Sequence, residues 1–136
     1  MAFLIPTVER IAKLRKSAGG GGGGEREIYC LIISPTRELA AQIAAEAEAL
    51  TKFHAGFAIV TIVGGTNINS DKRNFAGRTD ILVATPGRLN DHLENTDGFA
   101  RRFSNMSVLI MDEADQLLEM GFRCVFDFLL FFYLSI

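Results

Sequence analysis

The chain has 136 residues, of which 49% are hydrophobic, so it can bury the core of one small domain. Its formal net charge of −2 excludes a basic field over the whole surface, so any nucleic-acid site must be local. Cys30 and Cys124 lie far apart, and His54 and His92 are isolated along the chain. This spacing indicates neither a disulfide framework nor a metal cluster.

The first predicted element is a helix over residues 2–17, and a run of glycines follows it. Its apolar residues at helical spacing are Leu4, Val8, Ile11 and Leu14. Residues 19–24 are all glycine, but a phosphate-binding P-loop needs a preceding strand and a Gly-Lys-Ser or Gly-Lys-Thr ending. Here a predicted helix precedes the glycines, and no Gly-Lys-Ser or Gly-Lys-Thr occurs anywhere in the chain. We therefore interpret residues 18–27 as a flexible glycine-rich loop.

Strands and helices alternate after the glycines. The predicted strands are residues 28–33, 58–63, 81–84 and 108–111. The predicted helices are residues 36–51, 69–74, 86–94 and a short one that ends at Glu119, with a loop or broken helix over residues 97–105. The expected apolar stripe of the longest of these helices is Leu39, Ile43, Ala47 and Leu50. Such alternation predicts an α/β fold with a mostly parallel sheet, whose strand-to-helix turns share one edge.

Carboxylates follow the fourth predicted strand. Residues 108–115 read Val-Leu-Ile-Met-Asp-Glu-Ala-Asp, and a short apolar run of this kind suits a buried parallel strand. Ligands of parallel sheets bind at the carboxyl ends of the strands. Asp112 and Glu113 can there hold Mg²⁺ through water and polarise a second water. The alternative is an ordinary acidic helix start, which the helix dipole favours.

Two turns share one chemistry, a hydroxyl residue, then proline, then one residue, then arginine. They are residues 34–37, Ser-Pro-Thr-Arg, and residues 85–88, Thr-Pro-Gly-Arg. A helix start explains the hydroxyls and the prolines. It does not explain the arginines, because a cation in the first helical turn costs about 0.3–1 kcal/mol. Anions bound at the two helix N-termini would offset that cost, so we predict two phosphate sites on one sheet edge, suited to a nucleic-acid backbone.

Gly64 and Gly65 end a third strand on the same edge, where glycine permits a close backbone approach or a positive φ. An ordinary loop is the alternative for this pair. We interpret Arg101 and Arg102 as a solvated face. The phenylalanines that we assign to packing are Phe53, Phe57, Phe75, Phe99 and Phe103.

Four motifs now stand together: Pro-Thr-Arg-Glu-Leu-Ala at residues 35–40, the glycine pair, Thr-Pro-Gly-Arg at 85–88 and Asp-Glu-Ala-Asp at 112–115. In this order and spacing they resemble the first RecA-like domain of a DEAD-box ATP-dependent RNA helicase. The resemblance covers residues 1–123 and implies a RecA-like (P-loop NTPase) parallel sheet flanked by helices, incomplete at both ends. It implies ATP, Mg²⁺, RNA and a second RecA-like domain as partners, and no membrane. Residues 79–95 look most like members that act in organelles.

The resemblance also implies residue roles. Asp112 would hold Mg²⁺ through water, Glu113 would orient and deprotonate the attacking water, and Asp115 would couple hydrolysis to unwinding through a Ser-Ala-Thr motif. The residues that would contact the RNA backbone are Pro35, Thr36, Arg37, Gly64, Gly65, Thr85, Pro86, Gly87 and Arg88.

The chain departs from the family pattern in three places. The family's P-loop and adenine-reading segment would precede Met1, and the Ser-Ala-Thr motif and the second domain would follow the end of the chain. Residues 124–136 contain eleven apolar residues in thirteen where the family continues with a polar helix. This stretch is too short for a membrane span of roughly 20 residues, so we expect a divergent tail translated from intron or frameshifted sequence.

Three functions are compatible with these motifs. The first is part of an ATP-dependent RNA helicase, for which we expect negligible ATP hydrolysis by these 136 residues alone. The second is a non-catalytic fragment that binds the RNA backbone. The third, another P-loop motor or a metal-dependent nuclease, has no need of the two Pro-x-Arg turns.

Overall fold

The computed structural model describes residues 2–17, 27–54, 56–122, 125–127 and 130. The predicted glycine-rich loop, apart from Glu27, lies outside the described residues, as does most of the predicted tail.

Four parallel strands form a single sheet with the order β2-β3-β1-β4. The strands are β1 (Cys30–Ile33), β2 (Ile59–Ile62), β3 (Ile81–Ala84) and β4 (Val108–Met111). They end nearly in line, since Ile33 pairs with Ala84 on one side and Met111 on the other. The sequence prediction of an α/β fold with a parallel sheet is confirmed, and the turns after all four strands lie along one edge.

Among the described residues, five α-helices and one 3₁₀ helix connect and cover these strands. They are α1 (Leu4–Ser17), α2 (Arg37–Thr51), α3 (Ile68–Asn74), α4 (Pro86–Asn95), α5 (Ala114–Glu119) and the 3₁₀ helix Ala100–Phe103. Each lies where the sequence predicted a helix or a broken helix. Among the described residues, no helix is both long and apolar enough to cross a bilayer.

The two faces of the sheet are covered by separate core clusters, because alternate residues of a strand point to opposite sides. Cys30 and Ile32 of β1 pack with α1 and α2, whereas Leu31 and Ile33 pack with Leu89 of α4 and other residues of the second cluster. Three of the predicted packing phenylalanines are buried in that second cluster: Phe75, Phe99 and Phe103. Burial raises the pKa of the Cys30 thiol to about 12, so this cysteine is an inert core residue.

The buried face of α2 differs from the predicted stripe. Its buried residues are Ala40, Ile43, Ala44, Ala47 and Thr51. Leu50 is 38% exposed and Leu39 is half-buried. The helix turns its alanines inward because small side chains allow it to lie close against the sheet and α1, and this rotates the larger leucines outward.

The predicted solvated face at Arg101 and Arg102 is wrong for Arg102. Arg101 is exposed, but Arg102 is buried and its guanidinium donates to the carbonyl oxygens of Phe75 and Gly77. A third contact joins Arg102 Nη2 to Thr79 Oγ1 at 3.2 Å. The loop between α3 and β3 presents acceptors that a buried guanidinium satisfies, and the sequence alone gives no sign of that pairing.

Candidate functional site at the carboxyl edge of the sheet

The acidic motif begins directly where β4 ends. The backbone N–H of Asp112 donates to the carbonyl oxygen of Ile33 at 2.9 Å, which holds Asp112 against the end of β1. Glu113 follows with φ 50° and ψ 55° and is the one non-glycine residue of positive φ in the described part of the chain. Such a left-handed conformation costs roughly 1–2 kcal/mol and is common where a site requires a sharp turn.

The carboxylates of this motif have no cation beside them. Within the described ranges, Asp112, Glu113 and Asp115 make no ion pair and no side-chain hydrogen bond. Asp112 is half-buried, and Glu113 and Asp115 are exposed. Unpaired carboxylate oxygens are suitable ligands for Mg²⁺, which usually keeps several waters and takes only one or two carboxylates from a protein.

The described residues contain no group of three or more His, Cys, Asp or Glu side chains placed to hold a metal ion. A cation at Asp112 would therefore complete its coordination with water and ligand oxygens, as Mg²⁺ does in nucleotide sites. No Gly-Lys-Ser or Gly-Lys-Thr occurs in the sequence, so the lysine that commonly binds the phosphates of a nucleotide is not among these 136 residues.

The first Pro-x-Arg turn starts a helix, but its N-cap is Thr36 and not the predicted Ser34, so Pro35 precedes the cap and does not occupy the first helical position. Thr36 is the N-cap of α2, and its Oγ1 accepts a hydrogen bond from the backbone N–H of Leu39 at 3.2 Å. Pro35 is buried, while Arg37 is exposed and places Nη1 3.4 Å from the carbonyl oxygen of Gly64. Arg37 thus reaches from the start of α2 to the turn that follows β2 and keeps an exposed guanidinium.

The second turn uses its threonine differently from the prediction. Thr85 occupies the N-cap position of α4, but its side chain does not cap the helix. Instead, Thr85 Oγ1 accepts a hydrogen bond from the backbone N–H of Gly64 at 3.2 Å. The two groups meet because β2 and β3 are neighbours in the sheet and Ile62 pairs with Ala84. Pro86 then begins α4, as predicted.

The glycine pair is more than an ordinary loop at Gly65. Its φ of +83° is one that residues with a side chain rarely adopt. A Cβ at this position would also lie 2.5 Å from Arg37 Nη1. The backbone conformation therefore favours glycine at this position, and a Cβ would also require the exposed Arg37 guanidinium to move aside, whereas a Cβ on Gly64 would meet nothing within 4 Å.

Arg88 has a partner that the sequence analysis missed. The side chain is only 8% exposed, and its Nε lies 3.2 Å from Oδ2 of Asp71, a buried residue of α3. Arg88 also donates from Nε to the carbonyl oxygen of Val63 at 3.1 Å and from Nη2 to Thr66 Oγ1 at 3.2 Å. The sequence prediction assigned a bound anion to each of the two arginines, and the structure adds an internal anion, because Asp71 offsets the charge of Arg88.

His92 is not isolated in the structure. Its side chain is fully buried, with Nε2 3.2 Å from Asp71 Oδ2 and Nδ1 2.9 Å from Thr96 Oγ1. Burial lowers the pKa of His92 even though its hydrogen bond to Asp71 and the negative charge of that carboxylate oppose this, and the nearby charge of Arg88 lowers it further. The neutral ring can donate from Nε2 to the carboxylate and accept at Nδ1 from the threonine hydroxyl.

The order of the strands decides which of these groups meet. Along the carboxyl edge, the glycine pair follows β2, residues 85–88 follow β3, residues 34–37 follow β1, and the acidic motif follows β4. The three turns predicted to bind a backbone are therefore contiguous. The carboxylates lie beside them, on the far side of β1.

Comparison with known proteins gives a consistent result. A family model described as DEAD/DEAH box helicase matches residues 1–131. The chain is 47% identical to DEAD-box ATP-dependent RNA helicase 26 of Oryza sativa subsp. japonica over 124 residues, which are 90% of the chain. It is 48% identical to the probable DEAD-box ATP-dependent RNA helicase 48 of Arabidopsis thaliana over the same share. The chain spans 22% of the rice protein and 15% of the Arabidopsis protein.

Solved structures with the same fold include Mss116p bound to single-stranded RNA and AMP-PNP, with a TM-score of 0.76 and 34% identity. The match covers 94% of this chain and 24% of that one. The yeast DEAD-box splicing factor Prp28 aligns with a TM-score of 0.69 and 32% identity over 89% of this chain and 27% of its own.

Proposed function

Because the chain belongs to the DEAD/DEAH box helicase family, we propose that it supplies the RNA-binding edge and the catalytic carboxylates of an ATP-dependent RNA helicase. One observation carries this proposal: three linked turns and a set of unpaired carboxylates occupy consecutive positions along one sheet edge. The relatives are named as ATP-dependent RNA helicases, and Mss116p was solved with RNA and an ATP analogue on this fold.

The acidic motif is proposed to serve ATP hydrolysis. Mg-ATP, when bound, supplies the phosphoryl group that is transferred to water. Asp112, fixed by its backbone bond to Ile33, would hold the Mg²⁺ through water. Glu113 would orient the attacking water and accept its proton at the carboxylate, and Asp115 would link hydrolysis to RNA unwinding through a Ser-Ala-Thr motif. Such chemistry depends mainly on positioning and on neutralising charge.

The three turns are proposed to bind the sugar-phosphate backbone of RNA. Arg37 would contribute an exposed cation, and the exposed backbone at Gly65 and Gly87 would allow close approach of a phosphate. These contacts would be independent of sequence, since they address the backbone and not the bases. The full proposed set is Pro35, Thr36, Arg37, Gly64, Gly65, Thr85, Pro86, Gly87 and Arg88.

A second candidate function is RNA-backbone binding without catalysis. It is favoured by the sequence of these 136 residues, which contains no Gly-Lys-Ser or Gly-Lys-Thr to bind the nucleotide phosphates. We predict that the purified chain releases no phosphate from ATP above the buffer background, with or without RNA. The prediction would be contradicted if RNA stimulated phosphate release and Glu113→Gln abolished it. That result would favour a complete ATP-hydrolysing site in the chain.

The RNA-binding proposal is tested by Arg37→Ala. We expect weaker binding of a fluorescent single-stranded RNA, by a similar factor for different sequences, and a salt slope reduced by about 1 because one phosphate contact is lost. Fluorescence anisotropy at several salt concentrations measures both quantities. The matched control is Arg10→Ala, which removes an equally exposed arginine from α1. Equal losses in the two variants would show only a general effect of charge and would contradict the assignment.

A further inference from the structure

Three side chains lie buried behind the proposed RNA-binding turns. Asp71 is 3% exposed, Arg88 is 8% exposed and His92 is fully buried. Together with Thr66 they form a connected set, which we term the Asp71 network. It joins α3, the start of α4 and the turn after β2. None of the four motifs named in the sequence includes Asp71 or His92.

The Asp71 network closes the turn that contains the glycine pair. Arg88 donates to the carbonyl oxygens of Val63 and Thr66, which lie on either side of Gly64 and Gly65. From the neighbouring strand end, Thr85 accepts from the N–H of Gly64. The turn is therefore held from both sides by residues at the beginning of α4. Its position relative to α4 is fixed by side chains and not only by the sheet.

Asp71 sets the orientation of the arginine. Its Oδ2 is shared by Arg88 Nε and His92 Nε2, each at 3.2 Å, and its Oδ1 lies 3.4 Å from Thr66 Oγ1. A buried ion pair gains little net stability, because desolvation of both charges offsets their attraction. What such a pair provides is a defined geometry, since Asp71 Oδ2 faces both Arg88 and His92 while Oδ1 faces Thr66.

His92 in turn fixes the carboxylate. The ring packs against two phenylalanines that also contact each other, with centroid distances of 4.9 Å to Phe75 and 5.3 Å to Phe99 and 5.1 Å between the two phenylalanines. Its Nδ1 is engaged by Thr96 on the same helix. The imidazole therefore cannot rotate without breaking contacts on both sides, and its Nε2 holds Asp71 in the position that faces Arg88.

We propose that Asp71 and His92 are positioning residues of the RNA-binding edge. They hold Arg88 across the turn of residues 63–66, so that the glycine pair and the start of α4 meet the RNA backbone as one preformed surface. Arg37 depends on the same surface through its contact with Gly64. This inference rests on the proposed RNA-binding function, and it assigns Asp71 and His92 an effect on affinity without any contact with RNA.

A double-mutant cycle tests the proposal. Asp71→Asn preserves the size of the side chain and removes its charge, and we expect RNA affinity to fall roughly fivefold or more, within the range of couplings between contacting residues. Arg88→Gln should lower the affinity too. The double variant should bind no more weakly than Arg88→Gln alone, because Asp71 acts through Arg88. Additive losses would overturn the proposal.

Two further variants separate positioning from general destabilisation. Ile43→Val trims the core under α2, away from the edge, and should leave RNA affinity unchanged despite a lower melting temperature. His92→Gln retains a donor toward Asp71 and should fold. It should lower the affinity for RNA less than Asp71→Asn does. If Asp71→Asn does not fold, His92→Gln is the variant that tests the proposal. Equal losses of RNA affinity in Ile43→Val and in the network variants would overturn the proposal. Unchanged affinity in folded Asp71→Asn would also overturn it. If Asp71→Asn is unfolded, unchanged affinity in folded His92→Gln would overturn it instead.

A second readout does not depend on RNA. In the ¹⁵N-labelled chain, the Arg88 Nε–H signal should exchange slowly with solvent in the wild type and rapidly in Asp71→Asn. If the wild type binds no RNA, the proposed function falls and this inference falls with it. If the wild type binds RNA and Asp71→Asn binds equally well, only this inference is overturned.

Discussion

Asp112 and Glu113 join β4 to α5, and Glu113, the one non-glycine residue of positive φ among the described residues, carries the carboxylate that we assign to the attacking water. A side chain in this conformation is unfavourable, and glycine adopts it without penalty. The sequence places glutamate there nevertheless. The turn therefore retains a local cost in a residue whose side chain makes no hydrogen bond and no ion pair within the described part of the chain.

Replacing Glu113 measures that cost. We predict that Glu113→Gly is more stable to unfolding by urea than Glu113→Ala, by about 1 kcal/mol, because only glycine relieves the left-handed backbone. Glu113→Gln should resemble the wild type in stability, since it retains the strain. Equal stability of the glycine and alanine variants would contradict the strained turn and leave Glu113 as an ordinary helix start.

At the scale of elements, strand ends were predictable from sequence to the residue for β3 and β4, because apolar runs stop at Thr85 and Asp112. The buried face of α2 was predicted only in part: Ile43 and Ala47 are buried as expected, but the many alanines give a weak periodic signal that misplaced the rest of the face. The pairing of α3 with α4 was also missed. Asp71 stands in a short polar helix with no apolar pattern, and nothing local indicates that it is buried against Arg88.

The α3–α4 pairing should make stability depend on pH. Burial lowers the pKa of His92 in the folded chain below its value of about 6.5 in the unfolded chain. At a pH between these two pKa values, the unfolded state binds more protons than the folded state. Stability is therefore predicted to fall as pH decreases below about 6.5, by at most about 1.4 kcal/mol per pH unit for one proton. Urea unfolding between pH 7.5 and 5.5 measures this.

Two histidine variants isolate the source of that dependence. His92→Gln should flatten the profile between pH 7.5 and 5.5, because the titrating group is removed. His54→Gln, which replaces an exposed histidine, should retain the wild-type decline. A decline that persists unchanged in His92→Gln would show that another group causes it.

For the whole molecule, the strand order determines the site. The motifs alone indicated one shared edge, but not that β1 lies between β3 and β4 or that β2 is next to β3. This order groups the three turns and allows Arg37, Thr85 and Gly64 to meet. Long-range order of this kind comes from the packing of helices on both faces, which local patterns do not encode. In the described part of the tail, Val125 is buried in the second core cluster and Phe126 packs against that cluster, whereas the proposed origin of the tail stays a prediction.

The central claim, an RNA-backbone site on this edge, is tested most directly by the affinity of the wild-type chain for single-stranded RNA as a function of salt. We predict that the logarithm of the association constant falls linearly with the logarithm of salt concentration, with the same slope for RNAs of different sequence. Binding that is absent at low salt, or that is unaffected by salt, would contradict the claim.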